Sequence, residues 1–380
     1  MACSRLVLFL FPCLLNANES FEAFKKAQSQ SLQREKKSFI DFKKEEDQAF
    51  KAYREKEEKA ISDFKKKVRV FWPESDLEDA DKHVNYSKDL RTKSLIDFKK
   101  NEITISQISP KKKISKAELL KKLNHTLTLN THEAFKSNSL EQNIEKITKK
   151  PSYIKYAKVD KKPLLLTHSR TKTRLDLKNL TLTKKGSVYK LRYKLPKNST
   201  YKRSLSYLVA AKSNARRFNL KAQWLLAIMH SESSFNPLAR SHIPAYGLMQ
   251  IVPRSAGIDA YKFLYKQRRL LSASYLYNSK NNIEMGSTYL HILYYRYLSS
   301  IKNPTSRLYC AIAAYNTGAG NVARAFVRSN SVKKAARIIN TMSPENVYHH
   351  LLKNLKYDEP KHYLKRVRKR SLTYKELYRL

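Results

Sequence analysis

The chain has 380 residues, of which 77 are Lys or Arg and 32 are Asp or Glu, so its formal net charge is +45 at pH 7. This length is sufficient for two domains with separate cores. The charge indicates a polyanionic neighbour, such as nucleic acid, an anionic membrane surface or an acidic cell wall. We expect the segment that contains Cys3 and Cys13 to be removed, which leaves Cys310 as the remaining cysteine. An intramolecular disulfide is therefore excluded. Cys310 lies in an apolar helix and is predicted to be a small core residue.

The N-terminus has the features of an export signal. An apolar run over residues 6–15 is followed by a cleavage site after Ala17, which predicts a signal peptide over residues 1–17. The run is too short to anchor the chain stably across a bilayer. Lipid attachment at Cys13 is left open, although Pro12 stands where a lipobox favours a small residue. Export disfavours nucleic acid as the polyanionic partner.

Residues 19–67 are rich in Lys, Glu, Gln and Ala and contain no Gly or Pro. Their aromatic residues, often three positions apart, predict a long amphipathic helix with an aromatic seam that ends near Trp72 and Pro73. A packing role is favoured over a membrane-surface role, because acidic residues interrupt the basic face.

A short phrase that ends in DFKK recurs at 38–44, 60–66 and 94–100. The first two copies lie in the predicted helix. The third is followed by Asn101 and by an alternating Ile-Thr-Ile segment at 103–105, which predicts a hairpin. Two structural contexts for one phrase argue against a true repeat.

A second hairpin is predicted where the strand-like segments 180–183 and 188–193 flank a KKGS turn. Residues 196–200 have the composition of a linker, and the pattern beyond them is helical to the end of the chain. We therefore predict an α+β accessory domain over 18–195 and an all-α domain over 196–380.

One carboxylate stands out in the predicted helical domain. A helix predicted over 221–234 carries Glu232 in its last turn, because the FNP sequence at 235–237 stops it. The negative end of the helix dipole and apolar neighbours both favour the neutral acid and raise its pKa. A raised pKa suits a general acid that protonates a glycosidic oxygen near neutral pH. The ordinary alternative is a solvated Glu at a helix end.

Two further blocks decide against that alternative. The GLMQ block at 247–250 supplies an amide that can donate and accept hydrogen bonds. The AYNTGAG block at 314–320 brings Tyr315 and Asn316 to the C-terminal end of an apolar helix. Each block alone is compatible with an ordinary turn or cap. The ordered set indicates a site for a polar, uncharged polymer, and hence sugar chemistry.

A second catalytic carboxylate is not evident in this region. Between residues 221 and 342 the acidic residues are Glu232, Asp259 and Glu284, whereas most glycosidases use a pair of carboxylates. Neither Asp259 nor Glu284 has a sequence environment that marks a nucleophile or a base. If Glu232 works alone, the substrate must supply its own nucleophile.

Together these blocks resemble those of the lytic transglycosylases of the goose-lysozyme-like superfamily. The resemblance covers nearly all of residues 200–368 and extends to the accessory part. The segments that carry it are 84–88, 91–94, 232–237, 247–250, 303–307, 314–320, 338–340 and 363–367.

The resemblance implies a lysozyme-like all-α catalytic domain after the α+β domain, with peptidoglycan as its substrate. It implies that the bond between muramic acid and glucosamine is cleaved without water, as the muramyl 6-hydroxyl closes a 1,6-anhydro ring. Glu232 would protonate the leaving oxygen and then deprotonate that hydroxyl, and the N-acetyl group would assist. Tyr363 would stabilise the cationic intermediate or the N-acetyl group, and Ser233 would orient the site. The residues expected to contact the substrate are Ser233, Met249, Gln250, Tyr315, Asn316 and Tyr363.

The resemblance further implies a periplasmic location in a Gram-negative bacterium, association with the outer membrane and a role in cell-wall turnover and remodelling. The acidic peptides of peptidoglycan and anionic lipid headgroups would both attract the basic chain. No cofactor is expected. No metal site is expected either, because the histidines lack ligand-like spacing.

Three alternatives remain open at the level of sequence. A lysozyme-type hydrolase would share Glu232 but would need a base to activate water. A non-catalytic wall-binding scaffold would retain the fold, although the intact Glu232, Gln250, Tyr315 and Asn316 argue against decay. A nucleic-acid binder would show a steep dependence of its affinity on salt.

Overall fold

The structure is a computed structural model that describes residues 10–110, 113–147, 154–165, 175–242 and 244–380. The first nine residues of the predicted signal peptide lie outside this part of the chain, as do the side chains of residues 10–20. Among the described residues, no helix has both the length and the apolar character that a membrane span requires. The chain divides into two compact units, Met1–Ala60 and Ile61–Leu380.

Helix α1 covers Leu10–Arg69 and provides the described structure of the first unit. It confirms the long helix that the sequence predicts over 19–67. All side chains from 21 to 38 are exposed, so the predicted packing role is not seen in this part of the helix. Pairs one turn apart contribute to its surface instead, such as Arg54 with Glu58 at 2.6 Å.

The second unit contains seven strands among its described residues: β1 Lys82–Tyr86, β2 Thr92–Asp97, β3 Glu102–Ile108, β4 Ile154–Lys155, β5 Leu180–Lys185, β6 Val188–Lys194 and β7 Leu270–Leu271. Five of them form an antiparallel sheet in the order β1-β2-β3-β6-β5. Side chains alternate across β6, so that Tyr189, Leu191 and Tyr193 are buried. They join Ile103 and Ile105 of β3 in the main hydrophobic core.

Both predicted hairpins are confirmed. Gly186 connects β5 to β6 with a φ of +56°, and Asn101 lies between β2 and β3 with a φ of +53°. Gly and Asn adopt this left-handed conformation more readily than other residues. The third DFKK phrase accordingly lies in β2 and the following turn, whereas the first two lie in α1.

The region after residue 196 is helical, apart from the short strand β7, which pairs in parallel with β4. The α+β region followed by an all-α region is therefore confirmed. Before β4 lie α2 Lys116–Thr128, α3 Thr131–Ser137 and α4 Ser139–Ile147. The later helices are α5 Ser199–Arg217, α6 Ala222–Ser233, α7 Ile258–Tyr265, α8 Ala273–Leu276, α9 Ser279–Ile292, α10 Pro304–Thr317, α11 Ala319–Phe326, α12 Val332–Ile339, α13 Pro344–Asn354 and α14 Asp358–Tyr378. Because Ile61–Leu380 form one compact unit, the domain boundary at 195–196 coincides with no division between units and stays a prediction.

Helix α6 is the buried helix that carries Glu232. Residues 225–229 are fully buried, and the helix packs between α5 and α14. Ser234 and Phe235 end it with φ values of +50° and +64°, which is unusual for a bulky residue. Three aromatic rings hold Phe235 in place at centroid distances of 5.7 to 6.1 Å: His230, Tyr207 and Tyr374.

Candidate active site

A cleft of about 520 Å³ opens beside the C-terminal end of α6. Its lining comes from the segment before β1, the β2–β3 turn, the end of α6, the loop after α6, the end of α10 and one face of α14. The lining residues are Ala80, Asp81, Lys99, His230, Ser231, Glu232, Ser234, Ser241, Ala245, Gln250, Val252, Tyr315, Asn316, Glu359, Arg366 and Arg370. The three sequence blocks therefore meet at one cleft.

Glu232 is partly buried in this cleft and has a strongly perturbed acidity. Loss of hydration raises its pKa from 4.5 to about 8, and the nearby Glu359 carboxylate acts in the same direction. Hydrogen bonding by Tyr363 and the charge of Arg366 oppose this shift. At neutral pH the carboxyl is therefore mainly protonated, which is the state a general acid needs.

Tyr363 lies against Glu232 from α14 and is almost completely buried. Its hydroxyl is close enough to lower the pKa of Glu232 by hydrogen bonding. Even so, among the described residues it has no hydrogen bond of ordinary length and angle. The hydroxyl is thus a neighbour of the Glu232 carboxyl with unused donor capacity, although Tyr363 itself does not line the cleft.

The loop after α6 is shaped by Gly247, whose φ is +74°. A side chain at Gly247 would collide with the amide of Asn282. Asn282 itself accepts a hydrogen bond from the Met249 N–H at 2.8 Å. Gln250 then faces the cleft, and its amide donates to the carbonyls of Ala239 at 3.2 Å and Gly247 at 3.0 Å. The loop therefore presents Gln250 in a fixed orientation.

Tyr315 and Asn316 reach the same cleft from the end of α10. The Tyr315 hydroxyl donates to the Met249 carbonyl at 2.9 Å, which ties α10 to the loop. Burial and the nearby Glu232 raise the pKa of Tyr315 well above its usual value, so it stays a neutral donor. Asn316 is exposed and free to contact a ligand in the cleft.

Three of the predicted contact residues do not line the cleft: Ser233, Met249 and Tyr363. The Ser233 side chain is fully buried, and its hydroxyl donates to the carbonyls of Met229 at 3.0 Å and Leu248 at 2.9 Å. The Met249 side chain is also fully buried. Ser233 and Met249 fasten α6 to the loop, and Tyr363 lies against Glu232 from α14. The predicted residues that do line the cleft are Glu232, Gln250, Tyr315 and Asn316.

The expectation that Glu232 has no acidic companion needs correction. Asp81 and Glu359 both line the cleft, and both lie outside the 221–342 window on which that expectation rested. Asp81 accepts a hydrogen bond from Ser234 at 2.8 Å, and burial raises its pKa. Glu359 is ion-paired with Arg366 at 2.8 Å.

The two acids inside that window lie elsewhere. Asp259 accepts a hydrogen bond from Tyr297 at 3.0 Å, and Glu284 accepts one from the Tyr265 hydroxyl, also at 3.0 Å. Neither lines the cleft. Of the residues that sequence reasoning missed, those on α14 had a detectable signal, because helical spacing places Glu359 and Arg370 on the same face as Tyr363.

His230 is held as a neutral ring at the cleft. Burial and the charges of Arg370 and Arg203 lower its pKa to about 3, and Nδ1 lies 3.0 Å from the Tyr374 hydroxyl. Within the described ranges, no group of three or more His, Cys, Asp or Glu side chains is arranged to hold a metal ion. The side chains that line the cleft supply carboxyl, phenol, amide and guanidinium groups instead.

Comparison with known proteins shows the family to which this chain belongs. The profile of the Transglycosylase SLT domain matches residues 210–338. Membrane-bound lytic murein transglycosylase C of Pectobacterium atrosepticum is 33% identical over 298 residues, which are 77% of this chain and 82% of the relative. The chain belongs to the lytic transglycosylase family. The Klebsiella pneumoniae protein of the same name is 43% identical over 188 residues, which are 50% of this chain and 51% of that relative, so this match spans about half the length of each.

Among solved structures, the 70-kDa soluble lytic transglycosylase of Escherichia coli is similar with a TM-score of 0.35 and 22% identity, over 45% of this chain and 24% of that one. In this chain, the residues matched by the domain profile include Glu232, Gln250, Tyr315 and Asn316. The cleft residues contributed by the β region and by α14 lie outside the profile match.

Proposed function

We propose that this chain is a peptidoglycan lytic transglycosylase. It cleaves the β-1,4 bond between N-acetylmuramic acid and N-acetylglucosamine without water and leaves a 1,6-anhydromuramyl product. The observation that carries the proposal is Glu232, a carboxyl whose pKa is raised to about 8 at the end of a buried helix. It opens into a cleft that holds amide and phenol groups suited to sugars.

One carboxyl performs both proton transfers in this reaction. Glu232 first donates its proton to the glycosidic oxygen, and the bond from that oxygen to the muramyl C1 breaks. The resulting carboxylate then accepts the proton of the muramyl 6-hydroxyl while O6 forms a bond to C1. The N-acetyl group of the substrate stabilises the positive charge between these steps. Glu232 ends the cycle protonated, so no water is consumed.

The other site residues divide into contact and positioning roles. Gln250, Tyr315 and Asn316 hydrogen-bond the sugars from the cleft wall. The Tyr363 hydroxyl, which has unused donor capacity beside Glu232, stabilises developing charge near the reacting carbon. Ser233 and Met249 hold the helix end and the loop in register from behind.

A hydrolytic reaction would use the same acid and a carboxylate to activate water. Asp81 and Glu359 are the candidates for that second role, since both line the cleft. Glu359 is engaged by Arg366, and Asp81 is engaged by Ser234. The lytic reaction needs neither carboxylate, because the substrate supplies the nucleophile.

The proposal includes an envelope location. Relatives are named membrane-bound, and the sequence predicts export through residues 1–17. A periplasmic enzyme near the outer membrane, with an accessory domain over 18–195 and a catalytic domain over 196–380, would meet its substrate directly. Its charge of +45 would draw it towards acidic peptides and anionic lipids.

Mass spectrometry of the muropeptides that the protein releases from purified peptidoglycan tests the proposal, with Glu232→Gln as the inactive variant. We expect products lighter than reducing muropeptides by the mass of one water, and none from Glu232→Gln. Reducing products would indicate a hydrolase. Binding without release would indicate a scaffold.

A further inference from the structure

One face of α14 points into the cleft with a regular charge pattern. Glu359, Tyr363, Arg366 and Arg370 follow one another at intervals of four, three and four residues, which places them on one side of the helix. Tyr363 contacts Glu232, and the other three line the cleft. Arg366 and Arg370, called here the arginine pair, are thus neighbours of like charge, which is unfavourable by itself.

Arg370 is the more buried member, and no carboxylate among the described residues pairs with it. Its guanidinium donates to the His230 carbonyl at 3.1 Å and to the Ser231 hydroxyl at 2.9 Å, and both acceptors are neutral. In the part of the chain that the structure describes, it makes no ion pair. Burial lowers the pKa of Arg370, and Arg366 lowers it further. A desolvated cation of this kind is costly unless an anion approaches it.

Two nearby carboxylates neutralise only part of the positive charge of the arginine pair. Glu359 engages Arg366 through a single nitrogen at 2.8 Å, and both side chains are substantially exposed, so this pair is weak. Asp81 favours the charged form of Arg370 from a distance. Lys99 lies 3.9 Å from Asp81 and offsets that effect. The pair therefore retains positive charge that faces the cleft.

We infer that the arginine pair is a carboxylate subsite for the stem peptide of the muramyl residue. This inference rests on the proposed function, because the glycan itself is uncharged there and the acidic groups of peptidoglycan belong to its peptides. Planar guanidinium groups bind carboxylates through paired hydrogen bonds. Arg366 also lies close enough to lower the pKa of Glu232. The subsite therefore lies beside the carboxyl that protonates the glycosidic oxygen.

The test compares two defined muramyl oligosaccharides that differ in one respect: the stem-peptide carboxylates are free in one and amidated in the other. We expect the wild-type kcat/KM to be about tenfold higher for the free acid, as for one charge-assisted contact. The difference should reside mainly in KM, since the subsite binds the ground state. In Arg366→Gln and in Arg370→Gln the ratio should fall towards one.

Arg368→Gln is the matched control on the same helix. Arg368 pairs with both oxygens of Glu345 at 3.0 Å outside the cleft, and its variant should keep the tenfold ratio. Equal use of both substrates by the wild type, or an unchanged ratio in a folded Arg366→Gln protein, would overturn the inference. If the wild type forms no anhydro product from either substrate, the proposed function itself fails.

Discussion

At the scale of single residues, the function depends on a carboxyl that folding forces to stay protonated. Glu232 is partly buried at the cleft, and its loss of hydration raises its pKa to about 8. Such a group is suited to proton donation. It also destabilises the folded protein at pH values above the pKa that Glu232 has in the unfolded chain. This coupling gives two predictions about Glu232 and its phenol neighbour.

Glu232→Gln should remove turnover and make the protein more stable at alkaline pH. The folded pKa is raised, so the favourable contribution of the protonated carboxyl is complete below pH 4.5 and is lost as the pH rises through 8. A glutamine side chain does not ionise, so the variant does not lose stability over this pH range. Denaturant unfolding at pH 4 and pH 9, values chosen to bracket this window, should show a gain of about 2 kcal/mol at the higher pH alone. An equal effect at both pH values would contradict the raised pKa.

Tyr363→Phe should reduce kcat by about 100-fold and move the alkaline limb of the pH profile upwards. The Tyr363 hydroxyl lowers the pKa of Glu232, and removing it also removes a donor beside the developing charge. Rate profiles from pH 5 to pH 10 measure both effects. Tyr309→Phe, which removes a phenol outside the cleft, should leave the limb in place. A downward shift in Tyr363→Phe would refute this arrangement.

At the scale of elements, the site depends on how closely α9 approaches the loop after α6. Gly286 of α9 lies against Met249, and an added Cβ would come within 2.8 Å of the Met249 Cβ. Real carbon atoms do not approach so closely, so the loop would have to move. Gln250 and the Met249 carbonyl that receives Tyr315 would move with it.

Gly286→Ala should therefore destabilise the protein by about 2 kcal/mol, the usual effect of overpacking, and should raise KM. Thermal unfolding and steady-state kinetics check both effects. Gly320→Ala serves as the control, because the nearest atom to its added Cβ is the Asn330 Oδ1 at 3.3 Å. Similar effects from both substitutions would show that close packing at Gly286 does not position the loop.

The buried Arg203 of α5 is a second residue that joins separate elements of the fold. Its guanidinium donates to the Phe98 carbonyl at 2.7 Å and the Asn101 amide oxygen at 2.9 Å, both in the β2–β3 turn. It also donates to the Ser234 carbonyl at the end of α6, at 3.2 Å. The arginine therefore fastens the five-stranded sheet to the end of the helix that carries Glu232.

Arg203→Met should cost about 3 kcal/mol of unfolding free energy, because it leaves several buried acceptors without donors. Activity should fall in the protein that remains folded. Denaturant titration measures the first effect, and Lys202→Met, an exposed neighbour, should stay within about 0.5 kcal/mol of the wild type. A loss below 1 kcal/mol in Arg203→Met would rule out this role.

At the scale of the whole molecule, local sequence patterns predicted the helices and strands more completely than they predicted the residues that line the cleft. The direction of the pKa shift of Glu232 was predicted from its helix end and apolar neighbours, and in the structure loss of hydration is its main cause. Both hairpins followed from their turn residues. Asp81 could not be placed, because its contact with Ser234 joins segments 153 residues apart. Such contacts depend on how the sheet packs against α6. Arg366 and Arg370 share a helical face that the sequence shows, but the direction of that face follows only from the packed structure.

The most direct test of the central claim is digestion of peptidoglycan in water labelled with heavy oxygen, followed by mass spectrometry of the products. If Glu232 activates the muramyl 6-hydroxyl, the anhydro products contain no label from the solvent. Hydrolysis would place one heavy oxygen at each new reducing end. Unlabelled anhydro products are the predicted result, and labelled reducing ends would contradict the account.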